Sequence, residues 1–150
     1  MWLNLSVNGK AWSGEVEDRL LLADLLREHM RLTGTHIGCE QGACGACTVL
    51  LNEQPVRSCL VLAGQAQDCA VRTVEGLASE EQLSPLQEAF IRNTAFQCGF
   101  CTPGFLITAQ ALLDAGRHLT REEIRHELSG NICRCTGYAA IVEAVYQCQK

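Results

Sequence analysis

A chain of 150 residues has room for one ordinary domain or two small ones, which excludes an enzyme with separate substrate and nucleotide lobes. At 47% apolar and 19% charged, with 13 Gly and 3 Pro, it has the composition of a folded globule rather than of a disordered or low-complexity segment. A net charge of -5 and only 5% aromatic residues argue against a nucleic-acid-binding face.

The first segment alternates Leu3, Leu5 and Val7, reaches Asn8-Gly9, and alternates again through Ala11 and Ser13, which predicts a hairpin with a tight turn. No basic stretch followed by an apolar core opens the chain, so no signal peptide is expected, and no apolar run approaches the roughly 18 residues of a membrane span. A cytoplasmic protein, not attached to membranes, is the expectation. From Leu20 to Arg31 the period lengthens, with Leu22, Leu25, Leu26 and Met30 on one face, which predicts an amphipathic helix closed by Gly34. A Gly- and Cys-rich loop covers 38–47. Strand-like Thr48 to Leu51, a turn at Asn52 to Pro55, an apolar run from Val56 to Leu62 and a weaker strand at Val71 to Val74 follow.

Past Glu75-Gly76 the pattern is helical, which places a junction within about 75–83 and suggests domains of 1–77 and 78–150. Ser84-Pro85 with Gln87 reads as a capping box with Pro at the first helical position. Thr102-Pro103 reads as a second cap-plus-Pro start for a helix reaching Ala115, apolar on most sides and ended by Gly116. Thr120 to Glu123 is a second capping box, and Tyr138, Ile141, Val142 and Val145 mark a last helix. The fold class is therefore α+β, with four helices forming a small bundle after the β segment.

Ten cysteines without a secretory signal point to metal binding rather than to disulfides. Cys39, Cys44 and Cys47 are separated by four and then two residues, and Cys59 follows after eleven more, which is the plant-type spacing for a [2Fe-2S] cluster. Gly38, Gly42 and Gly45 with Ala43 and Ala46 let the loop wrap closely and bring backbone N-H groups toward sulfur. A structural zinc site usually presents paired knuckles instead. The second set, Cys98 and Cys101, then 31 residues, then Cys133 and Cys135, suits one tetrahedral zinc as readily as a cluster on spacing alone. Both pairs precede expected helix starts, where thiolate charge is favoured, and Arg134 stands between two cysteines as a counter-charge or as an ordinary surface arginine. Cys69 and Cys148 are left over as small hydrophobes. His29, His36, His118 and His126 are scattered, and no set of nucleophile, base and orienting group stands out, so no catalytic residue is expected.

Four ordered blocks carry a resemblance: Gly38-Cys39-Glu40-Gln41-Gly42-Ala43-Cys44-Gly45-Ala46-Cys47-Thr48-Val49, Thr73-Val74-Glu75-Gly76-Leu77, Gln97-Cys98-Gly99-Phe100-Cys101-Thr102-Pro103-Gly104, and Gly130-Asn131-Ile132-Cys133-Arg134-Cys135-Thr136-Gly137-Tyr138. Together they resemble the small iron-sulfur subunit of xanthine dehydrogenase and aldehyde oxidase type molybdenum hydroxylases over nearly the whole chain. The resemblance implies an N-terminal β-grasp ferredoxin-like domain and a C-terminal four-helix bundle, each holding a [2Fe-2S] cluster, which resolves the open second set. It implies that Gln97 and Cys135 lie against the molybdopterin of a large partner subunit, and that electrons pass through this chain to or from FAD in a medium subunit. A heterotrimer or dimer of heterotrimers, the cytosine dinucleotide form of the pterin, and the flavin-containing branch suggested by Cys-Thr-Pro-Gly follow from the same likeness. A freely diffusing two-cluster ferredoxin and a zinc-stabilised interaction module are the readings this expectation is weighed against. Substrate choice belongs to the large subunit, and the partner-facing surface is expected to include Gln97, Gly99 and Arg134.

Overall fold

The computed structural model describes residues 1–79 and 81–149. Glu80, inside the expected junction, and Lys150 lie outside the described residues. Trp2–Val7 (β1) pairs antiparallel with Lys10–Glu15 (β2), and Asn8 and Gly9 both take left-handed backbone (φ 51° and 77°), the conformation a two-residue hairpin turn demands. Alternation then buries Leu3, Leu5 and Val7 and leaves their neighbours toward solvent.

The expected helix over 20–31 is shorter and wider than its periodicity suggests. One α-helical turn, Leu22–Asp24 (α1), passes into π-type turns over Leu25–His29, with Met30 N-H reaching the Leu25 carbonyl. The cause lies downstream: Arg27 Nη1 donates to the carbonyls of Thr33 and Thr35 (2.9 and 2.7 Å) and Arg31 is left-handed (φ 58°), so the chain is drawn off the helix axis toward the Cys loop. Leu22, Leu25 and Leu26 still bury their apolar face with Leu3, Leu5, Val49 and Val71.

Thr48–Leu51 (β3) pairs antiparallel with Gln54–Arg57 (β4), so the turn is confined to Asn52 and Glu53, both left-handed (φ 48° and 64°). The strand expected at 56–62 thus lies earlier. Pro55 is tolerated because β4 is an edge strand that spares it a ladder N-H. The strand stops at Ser58, whose hydroxyl donates to the Cys47 carbonyl (2.6 Å) and turns Ser58–Leu60 into a 3-10 turn that buries Cys59. Ala70–Arg72 (β5) fills the centre of the sheet, parallel to β1 and antiparallel to β3, and the order is β2-β1-β5-β3-β4.

Four helices complete the fold: Pro85–Arg92 (α2), Thr102–Asp114 (α3), Arg121–Glu127 (α4) and Ala139–Tyr146 (α5). Reciprocal capping boxes start α2 (Ser84, Gln87) and α4 (Thr120, Glu123), as their sequences require. The third start differs, because Cys101 occupies the cap position of α3 and Thr102 is already helical, its hydroxyl buried without a hydrogen-bond partner. The last helix begins later than Cys135 suggested, after a left-handed Tyr138 (φ 66°). Six consecutive residues of α3, Gly104 to Ala109, are buried, because this helix packs on the bundle with one side and on β3 and the Cys loop with another. Apolar residues gather in one core around the sheet and one among the helices, the latter built on Leu86, Phe90, Phe105, Ile124 and Ile141.

Candidate iron-sulfur centres

All ten cysteines are free thiols. Eight of them stand in pairs whose sulfurs interact: Cys39 with Cys44, Cys47 with Cys59, Cys101 with Cys133, and Cys98 with Cys135 at 3.4 Å. The first two pairs form one set and the last two another. Among the described residues no three His, Cys, Asp or Glu side chains close on a point that would hold a single ion.

In the first set Cys39 and Cys44 are half-buried, while Cys47 and Cys59 are enclosed beneath the loop with Ala23 and Ile37. Gly42 and Gly45 adopt left-handed backbone (φ 78° and 76°), which turns successive N-H groups inward. Cys44 N-H donates to Cys39 Sγ (3.3 Å). N-H groups of Gln41 and Cys44 hold the Cys39 thiol down to about 7, whereas burial, helped by the adjacent Cys47 sulfur, pushes Cys59 up to about 11. Leu60, 56% exposed, lies over Gly42, its Cδ1 2.6 Å from where a Cβ would stand.

The second set has one buried side and one open side. Burial and the nearby Cys133 push Cys101 up to about 12. At Cys133 burial opposes ionisation, yet the hydroxyl and N-H of Thr136, at 3.0 and 3.3 Å from its sulfur, bring the thiol net below its ordinary value. Cys98 is lowered by the Phe100 N-H, and its neighbour Cys135 is raised by sharing a proton with it. Cys98, Cys135, Gln97 and Arg134 are all exposed, so this pair faces outward.

The structure adds three contacts at or beside the second set. Thr136 serves the Cys133 sulfur, Tyr138 accepts the Cys133 N-H on its hydroxyl (2.8 Å), and His36 stacks on Phe100 (4.7 Å between centroids) while its Nδ1 meets the Phe100 carbonyl (2.7 Å). The motif Cys-Thr-Gly-Tyr held the signal for the first two. The third needed residues 64 positions apart to meet, with Phe100 still 47% exposed. Cys69 and Cys148 join neither set; their thiols approach the carbonyls of Gln67 and Pro85.

The donor set suits diiron clusters. Two thiols on each of two adjacent positions, with inward backbone N-H groups, match a [2Fe-2S] unit, which takes a pair of thiolates at each iron. The unpartnered buried hydroxyl of Thr102, next to Cys101, fits a neighbour other than protein.

A β-grasp sheet followed by a helical thiol-bearing bundle defines a ferredoxin-type iron-sulfur protein of the α+β class. Residues 5–101 match the 2Fe-2S iron-sulfur cluster binding domain and residues 73–146 match the [2Fe-2S] binding domain. The chain is 51% identical over 146 residues to caffeine dehydrogenase subunit gamma of Pseudomonas sp. (strain CBB1), covering 95% of this chain and 87% of that one. It is 54% identical over 143 residues to the nicotine 6-hydroxylase small subunit of Paenarthrobacter nicotinovorans, covering 95% and 86%. Its fold superimposes on quinoline 2-oxidoreductase from Pseudomonas putida 86 with a TM-score of 0.95 at 51% identity, covering 97% of this chain and 90% of that one. The chain belongs to the small iron-sulfur subunits of the xanthine dehydrogenase and aldehyde oxidase family of molybdenum hydroxylases, as the sequence blocks implied, and is an electron-transfer subunit of an oxidoreductase complex.

Proposed function

We propose that one [2Fe-2S] cluster is held by Cys39, Cys44, Cys47 and Cys59 and a second by Cys98, Cys101, Cys133 and Cys135, and that the chain relays electrons between molybdopterin in a large partner and FAD in a medium one. The single observation that carries the reading is the grouping of eight thiols into two sets of two interacting pairs. Bound clusters supply one-electron storage, at potentials set by hydrogen bonds to sulfur, charge and solvent exposure.

The chain's own residues divide that work. Backbone N-H groups of Gln41, Ala43 and Cys44 surround the Cys39 sulfur and favour added negative charge on the first set. Thr136 does the same at Cys133. The outward placement of Gln97, Cys98, Arg134 and Cys135 supports a partner-facing edge at the second set, with Gln97 and Cys135 against the pterin of the large subunit. Residues 1–77 and 78–150 are taken as the two domains, in keeping with the two apolar cores, although Val74 and Leu77 also pack on the second. The same reading takes the pterin as the cytosine dinucleotide form, the assembly as a heterotrimer or a dimer of heterotrimers, and the location as cytoplasmic. No described helix is long and apolar enough to cross a membrane.

The test is the native complex. It should contain about four irons and four acid-labile sulfides per copy of this chain, with two distinguishable paramagnetic signals on reduction. Gln97→Ala should slow reduction of this chain by the molybdenum subunit and leave its iron content intact. Two irons per chain, or a single signal in fully loaded protein, would overturn the two-cluster reading.

A further inference from the structure

The two thiol sets are tied together by a short buried network. Asn131, 2% exposed, donates from Nδ2 to the carbonyl of Gly45 (3.1 Å), in the turn between Cys44 and Cys47. Its Oδ1 lies 3.0 Å from the Thr108 hydroxyl on α3, which shares its proton between that oxygen and the Gly104 carbonyl (2.9 Å). The next residue, Ile132, donates its N-H to the carbonyl of Cys44 (2.8 Å), and Cys133 follows directly in the chain. One hydrogen bond and a few backbone atoms therefore connect a cysteine of the first set to a cysteine of the second. Arg57 adds an outer clasp from Nη2 to the Gly130 carbonyl (2.6 Å), but that bond is open to solvent.

The Gly45 carbonyl also accepts from the Thr48 N-H (3.2 Å) and hydroxyl (2.6 Å) within its own loop, so the bond from Asn131 adds a tie between the two segments, worth about 1 kcal/mol net. Fit is close on every side. A Cβ on Gly45 would stand 2.6 Å from the Gly130 carbonyl and 2.7 Å from Asn131 Nδ2. From segment 130–133 the Asn131 side chain reaches the Gly45 carbonyl while the Ile132 N-H is committed to Cys44.

We propose that Asn131, seated on Thr108, is a positioning residue: it fixes segment 130–133 against the Gly45 turn, keeps the Ile132 to Cys44 bond closed, and so sets the spacing and the through-bond connection between the two thiol sets. This inference rests on the two-cluster reading and deepens it. It differs from a purely structural role because it concerns the relation between the sets and not the integrity of either one.

The experiment compares the loaded parent complex with Asn131→Ala, Thr108→Val and Thr108→Ser. Iron and sulfide are counted, backbone exchange at Ile132 is followed by hydrogen-deuterium exchange, and the spin-spin splitting of the fully reduced protein is recorded at low temperature. Asn131→Ala and Thr108→Val should keep about four irons and the individual signal shapes. They should lose the parental splitting, and exchange at Ile132 should accelerate by about tenfold, the worth of one net hydrogen bond. Thr108→Ser, which retains the hydroxyl, should behave as the parent. Parental splitting and exchange in both Asn131→Ala and Thr108→Val would overturn the proposal, as would a two-cluster parent without magnetic interaction. Should Asn131→Ala fail to bind iron, the Thr108→Val and Thr108→Ser pair decides by the same criteria. A parent holding only two irons would instead remove the two-cluster reading itself.

Discussion

Gly104→Ala tests the tightest glycine site in the fold. A Cβ at Gly104 would lie 2.2 Å from the Gly45 carbonyl oxygen and 3.1 Å from Ala46 Cα, against an ordinary contact of 3.4–4 Å. Helix α3 and the Cys loop would have to separate by roughly 1 Å, and since the obstacle is backbone, no rotamer can relieve it. Overpacking of this kind costs about 1–3 kcal/mol, and rigid backbone on the far side puts the value at the upper end. Alanine returns about 1 kcal/mol through its better helix propensity. The expected net loss is about 2 kcal/mol, which for a chain of this size lowers the melting midpoint by roughly 4–8 °C. Melting followed by visible absorbance and circular dichroism, at one scan rate because cluster loss makes unfolding irreversible, measures it. Gly137→Ala, whose Cβ would meet nothing within 4 Å, is the control and should melt with the parent. If Gly104→Ala melted at or above the parent, helix propensity alone would have decided the outcome and the close packing of α3 on the loop would be refuted.

Replacing Cys69 and Cys148 together by Ser should leave iron and sulfide at parental levels, since neither thiol joins a set; a drop in iron on elemental analysis would show otherwise. In the iron-free chain, iodoacetamide near pH 7 should modify Cys39, held down to about 7 by the N-H groups of Gln41 and Cys44, well before Cys59 or Cys101, pushed up by burial to about 11 and 12. The sign follows from the thiolate being the nucleophile: the lowered group reacts from about pH 7 upward, while the raised ones wait for more alkaline conditions, and equal labelling by mass spectrometry at pH 7 would contradict it. Ser84→Ala should remove the bond that Ser84 Oγ accepts from the Gln87 N-H (3.2 Å) and destabilise the helical core by about 1 kcal/mol, read as a lower denaturation midpoint.

Local chemistry made much of this protein legible in one dimension. The Asn8-Gly9 turn, the capping boxes at Ser84 and Thr120, and the spacing of Cys39, Cys44 and Cys47 are short-range patterns whose physics is complete within a few residues. Periodicity misjudged 20–31 because Arg27 bonds to Thr33 and Thr35, outside the window that sets a helical period. It misplaced the strand near 56 because Ser58 turns the chain to meet the Cys47 carbonyl. The second thiol set had no unique spacing at all, and its identity came from likeness rather than from geometry.

What the amino-acid order alone determined is therefore the list of parts: a β segment, four helices, and eight cysteines in two groups. The tertiary structure decided how those parts relate. Pairing Cys98 with Cys135 and Cys101 with Cys133, stacking His36 on Phe100, and setting Asn131 between Gly45 and Thr108 join residues from 23 to 86 positions apart. Such contacts carry no local pattern, because they form only when the packing of α3 against the sheet brings the two cysteine loops to the same place.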